Sequence, residues 1–234
     1  LTSFYHIVQD TQIKEAIQHY TSQGAMGRLL DADTDDLTLS PFMVFEIEDL
    51  MNLGDKNLIP VLTYLFHRIE TSLDGTPTIL VLDEAWIMLG HPVFRAKIRE
   101  WLKVMRKANC AVILATQSLS DAKNSGILDV LAESCPTKIF LPNITATQEA
   151  QRELYVGMGL NETQINIIAR ATPKRDYYVV SPLGRRQVQL ALGPKTLAFV
   201  GSSDKESIAR IQELEAEYGV NGWQSEWLRE RGAA

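Results

Sequence analysis

The sequence is poor in cysteine, in long apolar runs and in positive charge. Cys110 and Cys135 are its only cysteines, too few for a disulfide framework and in keeping with a reducing compartment. Cys110 opens an apolar run and Cys135 precedes a proline; both read as buried thiols without chemistry. No apolar stretch approaches the roughly 20 residues that span a bilayer, and no secretory leader pattern opens the chain. Lys and Arg number 23 against 29 Asp and Glu, a formal net charge of −6. That balance argues against a broad phosphate-binding face, because non-specific nucleic-acid affinity comes from neutralising phosphates with cations. A local basic patch stays open. Internal repeats and low-complexity segments are also absent.

What is present is an ordinary globular composition, 45% hydrophobic and 22% charged over 234 residues. A disordered chain is excluded. The length allows one large domain or one domain with an appendage. The first residue is Leu1 rather than Met, which reads as a fragment or a processed product.

Residues 1–40 are polar and uneven, and the run Asp31, Asp33, Asp35, Asp36 reads as a solvated turn. It has neither the glycine nor the closing glutamate of a calcium loop. This lead segment is expected to be partly disordered. Met43-Val44-Phe45-Glu46-Ile47 predicts a short strand, and the spacing Leu58, Ile59, Leu62, Leu65, Phe66, Ile69 predicts a helix. Thr78–Leu82 and Ala111–Ala115 are unbroken apolar strands separated by helical spacing over 93–107. A shorter helix over 127–132 leads to a third strand, Thr137–Leu141. Strands apolar on both faces, alternating with helices, indicate an α/β fold: a mainly parallel sheet with helices on both faces. Beyond Asn143 the pattern predicts helices near 145–156 and 161–170. A hairpin then turns at Ser181-Pro182-Leu183-Gly184, and two last helices cover 204–218 and 222–230. The expected division is a lead segment 1–40, a core 41–200 and a helical appendage 201–234. Residues beyond Asn143 are expected to add to the sheet domain rather than to form a core of their own.

The chemistry concentrates at two strand ends. Ile79-Leu80-Val81-Leu82-Asp83-Glu84 delivers adjacent carboxylates to the carboxyl edge of the sheet, where open α/β sheets bind ligands. This is a Walker B arrangement, in which the aspartate holds Mg²⁺ through water and the glutamate polarises the attacking water. A plainer reading is that Asp83-Glu84 caps the next helix. Ala115-Thr116-Gln117 ends the neighbouring strand, and a polar amide there can sense a γ-phosphate. The plainer alternative is a loop start. Arg106-Lys107 precede that strand; Arg106 offers transition-state charge within the chain or to a neighbouring subunit, or else the pair is a helix C-terminal cation cluster.

These residues together resemble the carboxy-terminal ATPase domain of the TrbE/CagE family. That family comprises the large conjugation-type ATPases of bacterial type IV secretion systems, related to the FtsK/HerA motors. The resemblance rests on Phe66-His67-Arg68-Ile69-Glu70, Leu82-Asp83-Glu84-Ala85-Trp86, Arg106-Lys107-Ala108-Asn109 and Ala115-Thr116-Gln117-Ser118. It continues through Pro136-Thr137-Lys138-Ile139-Phe140-Leu141-Pro142-Asn143, Tyr155-Val156-Gly157-Met158-Gly159-Leu160 and Asp176-Tyr177-Tyr178, covering most of the chain. It implies a RecA-like core over 41–200 that hydrolyses ATP with Mg²⁺. It further implies a hexamer at the cytoplasmic face of the inner membrane, working with other secretion components in pilus assembly and substrate translocation. Asp83 becomes the Mg²⁺ residue, Glu84 the catalytic base and Gln117 the sensor. Thr116 lies beside nucleotide, Arg106 is a basic catalytic candidate, and Lys138 is a candidate for phosphate or inter-subunit contact.

One departure stands out. No Gly-x-x-x-x-Gly-Lys-Ser/Thr segment occurs; Gly24-Ala25-Met26-Gly27-Arg28 is too short and lacks the Lys-Ser/Thr. Backbone N–H groups of such a loop cradle the phosphates and its lysine neutralises them. The family carries this loop upstream of the part that resembles residues 1–40, so a chain beginning downstream of it is expected. By itself it should bind ATP weakly and turn it over at background rate. Two other classes stay open: a scaffold that keeps the motor fold without nucleotide chemistry, and a DNA-pumping motor, which the acidic balance does not support. His6, His19, His67 and His91 lack metal-ligand spacing. Ser118, Ser120 and Asp121 suggest no triad. Trp86 is expected to pack beside the site, and Trp223 and Trp227, four residues apart, to anchor the last helix on its own domain or on a partner.

Overall fold

The computed structural model describes all residues except Asp36, Thr38, Leu39 and Ala234, and all of their side chains except those of Glu48, Met51, Trp86, Ile87 and Asp121. The expectations for Asp36, for Trp86 packing and for Asp121 therefore lie outside the described residues. The chain divides into two compact units, Leu1–Ile127 and Leu128–Ala234.

The first unit opens with α1 (Thr2–Ile7), α2 (Thr11–Gln18) and α3 (Gly27–Leu30), so the lead segment carries three short helices. It is tied to α5 (Asp55–Ser72), which follows a single turn, α4 (Glu48–Met51). The tie has a local cause. Pro60 sits inside α5 and has no N–H to give the carbonyl four residues back. That carbonyl, of Lys56, accepts the Tyr20 hydroxyl instead. His19 Nε2 meets Asn57 Oδ1 at 2.9 Å, and Arg68 pairs with Asp35 at 3.1 Å. Gly54, at φ 77°, makes the turn into α5, a left-handed backbone that favours glycine.

Then come β1 (Thr78–Leu82), α6 (Ala85–Gly90), α7 (Pro92–Val104), a 3-10 turn (Met105–Ala108), β2 (Cys110–Leu114) and α8 (Leu119–Asn124). Pro92 opens α7, and His91 Nδ1 accepts the Val93 N–H at 3.3 Å, satisfying one donor of the first turn. β1 and β2 pair in parallel, Thr78 opposite Cys110 through Leu82 opposite Leu114. α5 and α7 form one helical layer. Phe66 meets Trp101 with ring centroids 4.4 Å apart and planes tilted by 40°, and meets Phe94 at 5.5 Å. Trp101 is fully buried, and its indole N–H donates to Glu70 Oε1 at 2.5 Å, an oxygen that Lys97 Nζ also meets at 2.5 Å. The other face of the strand pair is open, with Ile79 68%, Val81 58% and Ile113 50% exposed.

The strand expected at 43–47 does not form; those residues have no regular secondary structure and join no ladder.

The second unit contains α9 (Leu128–Ser134), β3 (Lys138–Phe140), α10 (Glu149–Gly157), α11 (Glu162–Arg170), β4 (Asp176–Ser181), β5 (Gly184–Gln189), α12 (Pro194–Val200), α13 (Lys205–Tyr218) and α14 (Trp223–Glu230). The strand expected at 137–141 is present as β3 but does not extend the parallel pair. It lies antiparallel to β4, which pairs antiparallel with β5. The expectation that this region has no core of its own is corrected. Phe140, Leu154, Tyr155, Ile165, Ile168, Tyr178 and Val180 are buried within it, because one covered face is enough for an antiparallel sheet. The predicted hairpin is β4–β5, and the predicted last helices are α13 and α14. Asn161 and Gln164 close a reciprocal capping box on α11, and Asp204 caps α13; such caps satisfy orphan backbone donors.

Candidate functional site

The carboxyl ends of β1 and β2 lie side by side because the strands are parallel and in register. The ladder runs one step past the strands and then splits. Ala115 donates its N–H to Leu82 O at 3.0 Å and accepts the Ala85 N–H at 3.0 Å. Its peptide therefore bridges both sides of Asp83-Glu84 and pushes that dipeptide out as a turn at the sheet edge. Glu84 takes a left-handed backbone, φ 50° and ψ 38°. For a residue with a Cβ this costs about 1 kcal/mol, and such strain gathers at functional positions. Ala85, Met88 and Leu89 of α6 are buried directly behind the turn and hold it in place.

The acidic pair sits at the start of α6 and beside the carboxyl end of β2. Glu84 occupies the N-cap position of α6, yet its side chain makes no capping hydrogen bond. Instead Gln117 Nε2 donates to Glu84 Oε1 at 2.5 Å. Asp83 Oδ1 accepts the Glu84 N–H at 3.0 Å, which shapes the turn and leaves the exposed carboxylate at the edge. Thr116 Oγ1 accepts the Ser118 N–H at 3.4 Å and faces Ser118 O at 3.3 Å. Ser118 in turn accepts the Ser120 N–H at 3.1 Å at the start of α8. Thr116 thus sets the loop that presents Gln117. The contribution of Ala115 was not legible in the sequence, since a backbone bridge leaves no side-chain signal.

The remaining candidates fall elsewhere. Arg106 lies in the 3-10 turn that precedes β2, exposed, at the amino end of the strand whose carboxyl end leads to Gln117. A five-residue strand separates the two ends, roughly 16 Å at about 3.3 Å per residue. Arg106 therefore does not reach the Asp83-Glu84 edge of its own chain. Lys138 is on β3 of the second unit, where its Nζ donates to Ala132 O at 2.9 Å near the end of α9; a cation suits a helix C-terminus. Trp227 is buried and its indole N–H donates to Ala198 O at 2.8 Å, while Trp223 meets Phe199 with ring centroids 6.0 Å apart. Both anchor α14 within its own unit. Burial pushes the thiols of Cys110 and Cys135 up from their ordinary range, which disfavours the thiolate.

Among the described residues no cluster of three His, Cys, Asp or Glu is arranged to hold a metal ion. Mg²⁺ keeps several waters and uses one or two carboxylates beside substrate phosphates; the exposed Asp83 carboxylate is a candidate donor of that kind. The phosphates of a nucleotide are served less well, for no glycine-rich loop with a Lys-Ser/Thr lies in these residues.

A parallel strand pair thus brings two carboxylates and an amide to one carboxyl edge, with a helical layer behind it. The TraG P-loop domain profile matches residues 9–182, well over half of the sequence, and the chain belongs to that family. It is 61% identical over all 234 residues to the conjugal transfer protein TrbE of Rhizobium radiobacter, spanning 28% of that protein. It is 30% identical over 226 residues, 94% of the chain, to the type IV secretion system protein virB4 of Bartonella henselae, again spanning 28% of the relative. The chain thus spans under a third of the length of these curated relatives. The solved structure of VirB4 of Thermoanaerobacter pseudethanolicus superposes with a TM-score of 0.61, at 22% identity, over 78% of this chain and 50% of that one. That likeness supports the α/β fold.

Proposed function

We propose that the chain is the carboxy-terminal part of an ATP-hydrolysing motor of a bacterial type IV secretion or conjugation system. The motor energises pilus assembly and the translocation of DNA or protein. The observation that carries this reading is the Gln117–Glu84 hydrogen bond at the shared edge of two parallel strands. Asp83 holds Mg²⁺ through water, and the ion supplies charge neutralisation at the phosphates. Glu84 takes the proton of the attacking water. Gln117 ties the occupancy of the edge to the loop that leads into α8. Since Arg106 does not reach this edge within its own chain, its role as a catalytic cation is played toward a neighbouring subunit, in keeping with a hexamer. Lys138 serves a contact between subunits or with phosphate. No helix among the described residues is long and apolar enough to cross a membrane. Contact with the cytoplasmic face of the inner membrane runs through other secretion components or through a segment outside these 234 residues.

A second reading, a docking scaffold without nucleotide chemistry, is favoured by the missing phosphate cradle. ATP turnover separates the two. The 234-residue chain is expected to hydrolyse ATP at background rate, and a longer chain with a glycine-rich Lys-Ser/Thr loop ahead of it at a steady rate that Glu84→Gln abolishes. General-base removal costs roughly 100-fold or more. A longer chain that never turns over, or one indifferent to Glu84→Gln, supports the scaffold. Strong salt-dependent DNA binding would instead favour a DNA-pumping motor.

A further inference from the structure

Residues 1–55 hold ten Asp and Glu against only Lys14 and Arg28, a local negative charge larger than that of the whole chain. Within this stretch α1, α2 and the turn that follows line an open cavity of about 420 Å³, in the size range of small-ligand sites. Close backbone approach builds one wall. A Cβ on Gly24 would stand 2.3 Å from Gln18 O and 2.4 Å from His19 O, so the turn folds tightly over the end of α2.

The lining offers acceptors and rings. Glu15 is exposed and pairs with no cation among the described residues. His19 is oriented by its neighbour. Asn57 Nδ2 donates to Leu53 O at 2.8 Å, which leaves Asn57 Oδ1 to accept from His19 Nε2 at 2.9 Å. In the neutral imidazole Nδ1 is then an acceptor. Tyr5 and His6 meet edge to face with ring centroids 5.5 Å apart. Lys14 Nζ already lies over the Tyr5 ring at 4.9 Å, a cation–π contact. No Lys or Arg among the described residues lines the cavity, so an anionic ligand would find no counter-charge. His6, Glu15 and His19 all line it, yet among the described residues no three such groups are placed to hold a metal ion.

A carboxylate beside aromatic rings, with no competing cation in the lining, suits a planar organic cation. Guanidinium presents its N–H donors to a carboxylate in a fixed fork and lies flat on aromatic faces, whereas an ammonium is a strongly hydrated point charge. We propose that this cavity binds a guanidinium group, with Glu15 accepting the fork and the Tyr5 and His6 rings flanking its plane. The site shares no residue with the edge bearing Asp83, Glu84 and Gln117 and needs no nucleotide.

Titration of the 234-residue chain with N-butylguanidine, followed by amide NMR shifts, tests it. Saturable shifts are expected at Tyr5, His6, Glu15, Gln18 and His19, with a Kd of about 1 mM, ordinary for so small a ligand in an open site. Butylamine has the same charge and tail and is expected to bind at least about 10-fold more weakly. Glu15→Gln alters an exposed side chain and spares the core. It should weaken N-butylguanidine about 10-fold, the worth of one charge-assisted hydrogen bond. Asp33→Asn removes an exposed charge of the same acidic stretch that does not line the cavity, and should change Kd by less than about 2-fold. N-acetylarginine amide separates the sources. Binding as tight as that of N-butylguanidine assigns an arginine side chain of a partner as the occupant, and its exclusion assigns a free guanidinium compound. Absence of saturable shifts, shifts spread over residues 31–49, equal binding of butylamine, or equal losses from Glu15→Gln and Asp33→Asn each overturn the proposal.

Discussion

The parallel strand pair of the first unit and the antiparallel sheet of the second face opposite problems. β3, β4 and β5 complete their ladders within one stretch of chain, and a single covered face, with Tyr178 and Val180 buried, suffices. β1 and β2 present apolar residues to both sides but bury one, leaving Ile79, Val81 and Ile113 exposed. A parallel sheet draws its second cover from elements distant in sequence. The first unit also carries the strained, half-buried Glu84 and the exposed Asp83 carboxylate. Stability is local in the second unit; in the first it rests on the α5–α7 layer behind the strands, with the chemistry left at the edge.

The largest expected effect tests that layer. Trp101→Ala removes the ring contact with Phe66 and a hydrogen-bond partner of Glu70, and should cost about 3–5 kcal/mol in denaturant unfolding. A loss under about 1 kcal/mol would mean that the layer does not carry the first unit. Next is the strained turn. Glu84→Gly relieves the left-handed backbone and should stabilise by about 1 kcal/mol while removing the carboxylate. A destabilised Glu84→Gly would show that the turn is held by the side chain rather than against it.

A smaller, pH-dependent effect belongs to Glu70. Burial alone would raise its carboxyl, but the Lys97 ammonium and the Trp101 indole N–H outweigh that and hold it below the ordinary range. A lowered carboxyl contributes stability above the unfolded value, about 4.3, and loses it as pH falls through the folded value. Acid titration of stability should therefore steepen below that point, and Glu70→Gln should flatten it. The smallest effect is on the open face. Ile79→Thr should shift stability by no more than about 0.5 kcal/mol, and a cost of several kcal/mol would reveal a cover over that face.

The same contrast explains what could be read from the sequence. Thr78–Leu82 and Ala111–Ala115 are legible because a strand apolar on both sides leaves an unbroken run, and the β4–β5 hairpin because its turn residues lie beside its strands. The carboxylates and the amide of the candidate site followed from those strand ends. The partner of β3 was not legible, since residue pattern marks a strand but not its neighbour. For the same reason 43–47 carries a strand pattern without a ladder. The left-handed Glu84 leaves no trace in composition. Arg106 was readable in principle: it precedes β2 and Gln117 follows it, so strand direction alone sets them at opposite ends.

Glu84 and Gln117 are expected to act as one unit at the edge of the sheet. A double-mutant cycle on ATP turnover tests it most directly, in a chain long enough to include a phosphate-cradling loop. Groups that act together are strongly non-additive. Glu84→Gln and Gln117→Ala are each expected to lower kcat by roughly 100-fold or more, and the double variant is expected to be no slower than the slower single one. Losses that multiply, or a Gln117→Ala variant with unaltered kcat, would contradict the account.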